Sequence, residues 1–236
     1  MTATQRTWLF SIGTALIMTL AGWDSPSQAE LYVAGQLGYT IPNGLSDVKG
    51  TGPTSGQTTS DLEQINSPLF GFKVGYFFPG LPWLGVEGDF YYTTPHVKQQ
   101  LVDKSVTNPL TGTKVTASVL TPGFHMTYAN ATANLIARYP GRRFQPYVGG
   151  GIGMAYGRIS GVQTTQAGNP NPITESQSDV SVVFNALVGS RFFLTKHVAL
   201  FGEYKYTTTS FDWGGNILIK ADYTAHNLVG GVSFHF

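Results

Sequence analysis

The 236-residue chain contains no cysteine, which excludes disulfides, thiolate metal sites and a cysteine nucleophile. Charge is scarce: Asp, Glu, Lys and Arg make up 11% of the residues, against roughly 25% in ordinary soluble domains. Fourteen basic and thirteen acidic side chains leave a net charge of +1, so no basic field favours nucleic acid and no acidic tail solvates an interaction segment. Long apolar runs are missing too. From Glu30 onward no stretch reaches the ~18 uncharged apolar residues that a membrane helix requires. The mean hydropathy of −0.02 does not separate a soluble sheet from a membrane one, because strands apolar on one face only average to such values. If the chain sits in a membrane, it must cross as a closed barrel.

What is present begins with an export signal. Arg6 supplies a positive start, Trp8 to Leu20 an apolar centre, and Ser27-Gln28-Ala29 the small residues of a cleavage site. Ser11, Gly13 and Thr14 interrupt the apolar stretch, which argues against a retained helix. Residues 1–29 are therefore expected to be a cleaved signal peptide, followed by one domain over 30–236.

That domain alternates with a period of two. Leu31, Val33, Leu37, Tyr39 and Ile41 share a face opposite Tyr32, Ala34, Gln36 and Thr40. The pattern recurs at Phe70 to Phe78, Leu84 to Tyr92, Ala129 to Arg138, Val148 to Tyr156, Val180 to Arg191, Val198 to Tyr206, and Leu228 to Phe236. One face is apolar and aromatic, the other small or polar, as suits lipid outside and a filled or wet interior. Long polar connections (Asn43 to Ser67, Thr94 to Pro122, Gly161 to Ser178, Phe211 to Ala221) alternate with short turns at Pro79-Gly80, Pro140 to Arg143 and Thr195-Lys196. The expected fold is all-β: an eight-stranded antiparallel up-and-down transmembrane β-barrel with short periplasmic turns and long extracellular loops. The connections read as irregular loops. Aromatic residues near strand ends (Phe77, Phe78, Trp83, Tyr91, Tyr92, Tyr139, Phe144, Phe192 and Phe193) read as interfacial girdles.

Gln145-Pro146-Tyr147-Val148-Gly149-Gly150-Gly151-Ile152-Gly153, preceded by Arg138-Tyr139-Pro140 and Arg143-Phe144, resembles the central strand of the OmpA-like outer-membrane β-barrel superfamily. Glu203-Tyr204-Lys205-Tyr206 resembles its penultimate strand, and Val232-Ser233-Phe234-His235-Phe236 its closing strand. The resemblance covers essentially all of residues 30–236. It implies a barrel in the bacterial outer membrane, of the porin-family or surface-antigen type, without the peptidoglycan-binding domain of longer members. It also implies that Leu228, Val232, Phe234 and Phe236 form the signal read by the barrel-assembly machinery. Function does not follow from the scaffold, since members serve as anchors, adhesins, small pores and enzymes.

The inward phase carries Lys73, Glu87, Asp89, Arg138, Arg191, Glu203 and Lys205. A Lys or Arg on the lipid face near the midplane would cost roughly 2–4 kcal/mol, and confined ions need partners, so these seven are expected to form a salt-bridged lumen plug. Lys73 should meet Glu87 and Asp89, and Arg191 should meet Glu203. The alternative is a narrow diffusion pore using the same residues. A lipid-modifying enzyme is the weakest reading: His125-Met126-Thr127-Tyr128 lacks the His-x-Ser-Asn arrangement of outer-membrane lipid A deacylases, and His96, His125, His197 and His226 do not converge. The glycines around Gly151 and Gly153 fail a dinucleotide fingerprint at Tyr156, and no helix follows. No cofactor is expected. The partners expected are membrane lipids and lipopolysaccharide, which Lys98, Lys104 and Lys114 would meet, and an extracellular ligand at the loops.

Overall fold

The computed structural model describes residues 30–108, 111–164, 173–215 and 217–236; the expected signal peptide lies outside them. Eight long strands carry the fold: β1 (Glu30–Gly50), β2 (Ser67–Phe78), β3 (Leu81–Thr93), β4 (Phe124–Arg138), β5 (Phe144–Thr164), β6 (Ile173–Phe193), β7 (Val198–Trp213) and β8 (Ile219–His235). Each pairs antiparallel with its sequence neighbours. β8 returns to β1, from Tyr32 opposite His235 to Gly50 opposite Ile219. The ring is closed, so these strands leave no free edge within it.

Sequence alternation fixes which side each residue faces. Leu31, Val33, Leu37, Phe70, Phe72, Val74, Val86, Leu135, Val148, Ile152, Met154, Val182, Phe184, Val188, Leu200, Leu228 and Val232 all point outward and are exposed, while the side chains that alternate with them, such as Tyr32, Gln36, Lys73, Glu87, Asn134, Tyr147, Asn185, Glu203 and Val229, are buried. An apolar exterior around a polar interior inverts the arrangement of a soluble protein, and an apolar band flanked by Trp83, Tyr139, Phe144 and Phe192 at the short-turn end suits lipid. Phe77 and Tyr91, read from the sequence as girdle residues, instead face inward at 1% exposure. Period two settles this against mere proximity to a strand end.

The long connections are not irregular. β5 and β6 each run 21 residues, about twice the 9–11 that cross a membrane, so the wall continues well past the apolar band. The connection after β1 folds as a 3-10 turn (Gly52–Thr54) and strands Gln57–Thr59 and Gln64–Ile65. The one after β3 forms the short strand His96–Val97, placing a histidine expected in a loop, and an outer hairpin of Gln100–Thr107 with Lys114–Thr121. Thr and Val dominate these segments, and their β preference outweighs the glycines that suggested coil. In β1 a bulge makes the transition. Gly44 sits at φ 92°, and a Cβ there would lie 2.5 Å from the Leu62 carbonyl oxygen, so glycine alone admits the Leu45–Leu62 bridge with its two 2.9 Å hydrogen bonds.

Candidate functional site

The interior is the most constrained part of the molecule, and it has two levels. At the short-turn level β2, β3, β6 and β7 bring ions together. Lys73 lies 2.7 Å from Glu203, 3.0 Å from Glu87 and 3.6 Å from Asp89. Lys205 pairs closely with Asp89 and stands 3.5 Å from Glu203. Tyr147 donates to Glu203 at 3.0 Å, Tyr32 donates to Glu87 at 2.5 Å, and Gln36 donates to Asp89 at 2.6 Å. Every one of these charged side chains is essentially shut off from solvent.

Two placements differ from the simple hairpin expectation. Arg191 meets Glu87 at 3.5 Å, not Glu203. In the β6–β7 register Arg191 faces Phe201 and Glu203 faces Gly189, so Glu203 is free to reach across to Lys73, and Arg191 stacks over the Tyr32 ring at 4.0 Å. Arg138 does not join the central group. It bonds Glu30 at 2.6 Å, Gln145 at 3.0 Å and the Pro82 carbonyl at 2.9 Å, and lies 3.5 Å over the Phe77 ring at the short-turn mouth.

Glu30 and His235 were not among the residues singled out from the sequence, although both fall on the inward phase. His235 Nδ1 lies 2.5 Å from Glu30, and its Nε2 lies 2.8 Å from Ser233 Oγ. The order Ser, His, acid is that of a nucleophile relay, but Ser233 has no exposed surface and its hydroxyl also faces the Ala199 carbonyl at 3.4 Å. The set ties β8 to β1 where the ring closes. The four histidines at 96, 125, 197 and 226 form no common centre; His96 and His125 pack ring to ring at 4.3 Å and His226 bonds Tyr204 at 2.6 Å on the outer wall. Among the described residues no cluster of ligands could hold a metal.

Above the ions the interior turns aromatic and apolar. Tyr91 bonds Thr207 at 3.1 Å and packs on Tyr128, which packs on Tyr223 and Phe211, and Phe211 stacks on Trp213 at 5.1 Å. Leu45, Val48, Leu62, Leu69, Met126, Ile159 and Ile217 complete this level. Glycines make the room: a Cβ at Gly157 would lie 2.7 Å from the Phe211 ring, and one at Gly231 2.6 Å from that of Phe201. Gly157 and Gly231, like Gly75 against Tyr32 and Gly189 against Tyr147, are therefore seats for rings from other strands.

Outside, Leu228, Val232, Phe234 and Phe236 project from β8 and the terminus as one exposed apolar row. The outer hairpin stands beyond the barrel with Leu101, Val106, Val115, Val119 and Leu120 exposed. Lys98 pairs with Glu63 at 3.4 Å, and Lys104 and Lys114 are exposed on the hairpin.

A family model described as outer membrane protein beta-barrel domain matches residues 10–236. Among solved structures, Ail, the attachment invasion locus protein of Yersinia pestis, in complex with the heparin analogue sucrose octasulfate, is 18% identical, with 87% of this chain and 99% of that chain covered at a TM-score of 0.43. Neisserial surface protein A is 14% identical, covering 89% and 99% at 0.48, and OprG of Pseudomonas aeruginosa 16% identical, covering 88% and 96% at 0.48. No curated protein matches. With the closed antiparallel ring, the outward apolar band and a family match over nearly its whole length, the chain belongs to the outer membrane protein β-barrel domain family and resides in the bacterial outer membrane.

Proposed function

We propose that this barrel is a non-enzymatic membrane anchor with a closed lumen, whose work is done by the β-structure it raises above the outer leaflet: a surface-interaction protein of adhesin type. The observation that carries this reading is the filling of the lumen. Lys73, Lys205, Tyr32, Tyr91, Tyr128, Tyr223, Phe77, Phe211 and Trp213 are each shut off from solvent in the interior, and ions that neutralise one another occupy one level while stacked rings occupy the next. An interior closed at two levels has little to offer a solute.

The diffusion-pore reading has one observation in its favour. Gln36 Oε1, Asn134 Oδ1, Asn185 Oδ1 and Arg191 Nη1 are buried in the lumen without a protein hydrogen-bond partner, and such atoms are commonly satisfied by water. Planar-bilayer conductance separates the two. The wild-type protein should be silent. Glu87→Gln with Asp89→Asn should remain nearly silent because the aromatic level still closes the barrel, and adding Tyr128→Ala should produce measurable leak. Discrete, reproducible openings of the wild type would overturn the closed-lumen reading.

A further inference from the structure

The outer hairpin ends the sheet. Its first strand, Gln100–Thr107, pairs with Gln57–Thr59 and through it with β1, whereas Lys114–Thr121 pairs only with Gln100–Thr107. Among the described residues its other side meets no strand, so alternate residues direct N–H and C=O groups to an open edge. Every residue from Lys114 to Leu120 is exposed, with Val115 at 64%, Val119 at 40% and Leu120 at 56%. Soluble proteins blunt such edges with inward charges, proline or bulges. This one carries a single charge, Lys114, at its start.

The segment Val115-Thr116-Ala117-Ser118-Val119 reads almost the same in both directions. Paired antiparallel with a second copy about a two-fold axis through Ala117, it sets Val115 against Val119 and Ala117 against Ala117 on one face, and Thr116 against Ser118 on the other. Lys114 then faces Leu120, so like charges do not meet. Valine pairs and Thr–Ser pairs are the cross-strand combinations that stabilise antiparallel sheets. We propose that Lys114–Thr121 is a homotypic adhesive edge that joins two copies of this chain into one continuous sheet. The geometry also sets where the second copy stands. The hairpin is hydrogen-bonded in series with the barrel wall, and a two-fold axis normal to that wall reverses the barrel axis. The partner barrel thus sits in a facing membrane, and the contact links one cell to another. This proposal builds on the surface-interaction reading of the outer β-structure, yet does not depend on the lumen being closed.

The absence of cysteine makes the test direct. Across the proposed axis the two Ala117 Cα atoms would be about 4.5–5.5 Å apart, within the ~4.4–6.8 Å of a disulfide, while the two Lys114 residues would be separated by roughly 20 Å along the strands. The full chain carrying Ala117→Cys, inserted in liposomes and mildly oxidised, should give about tenfold more disulfide-linked dimer than the chain carrying Lys114→Cys. Tethering of the vesicles, followed by light scattering, should be lost with Ala117→Lys, which sets a second ammonium beside Lys104 in both copies, and should return when Ala117→Lys and Ala117→Asp vesicles are mixed. Equal crosslinking at 117 and 114, or tethering by Ala117→Lys vesicles at the wild-type level, would overturn the proposal. Ala117 is exposed, so none of these changes touches the barrel core, and a conducting barrel that still crosslinks at 117 would lose the closed lumen while keeping the adhesive edge.

Discussion

Lys73→Met is the most informative single change in the lumen. The central group is neutral: Lys73, Lys205 and Arg191 against Glu87, Asp89 and Glu203, linked at 2.7 Å, 3.0 Å and 3.6 Å from Lys73 alone. Methionine fills similar volume and leaves one buried negative charge without a counterion. Breaking a buried ion pair in this way costs about 3–5 kcal/mol. Glu203→Gln leaves the opposite imbalance and should cost a similar amount, near the lower limit because Lys73 keeps two carboxylates. If the sites were independent and each change cost the lower limit of about 3 kcal/mol, the double variant would lose about 6 kcal/mol; because it restores neutrality it should lose no more than about 3, a coupling near the top of the usual range for contacting residues. Equilibrium urea unfolding of the refolded barrel, followed by tryptophan fluorescence, measures all three. A Lys73→Met loss below about 1 kcal/mol, or a double variant equal to the sum of the singles, would refute the ion cluster as a stabilised unit.

Two further outcomes follow from the packing. Gly157→Val drives a side chain into the seat of Phe211, itself wholly buried and stacked on Trp213; it should destabilise the barrel by about 1–3 kcal/mol in the same assay, and Phe211→Leu should recover part of the loss. Phe236→Ser removes the last member of the outward row on β8 without touching the lumen, so it should lower the fraction of chain that reaches the membrane in protease-protected form while leaving the unfolding midpoint of the inserted fraction unchanged.

Strand identity, facing and the order of the ring were legible because a period of two is unambiguous when one face meets lipid and the other is confined: Lys73, Glu87 and Lys205 lie where their parity puts them. Partner choice was less legible. Adjacent strands predict Lys73 with Glu87, but Lys73 with Glu203 joins strands that are not neighbours in the ring, and only barrel closure brings them within 2.7 Å. The regular strands in the outer connections were hidden for another reason. Asn, Gly, Thr and Ser in the segment from Asn43 to Ser67 resemble coil in composition, whereas pairing with a wall already in place makes strand the cheaper way to satisfy their backbone. Glu30 and His235 were visible in phase but not in consequence, since the first and last strands are distant until the ring shuts.

The ion cluster also bears on the order of assembly. Within the central group the β2–β3 hairpin contributes Lys73, Glu87 and Asp89, and so carries one uncompensated negative charge, whereas the β6–β7 hairpin contributes Arg191, Lys205 and Glu203 and carries the reverse. Lys73 and Glu203 are 130 positions apart in the chain, Glu30 and His235 205 apart. The charge that each hairpin carries is thus cancelled only by the other, and their opposite signs attract across the lumen. Closure around a hairpin of the same sign would trap like charges together, so the interior charges favour one pairing of hairpins over the others.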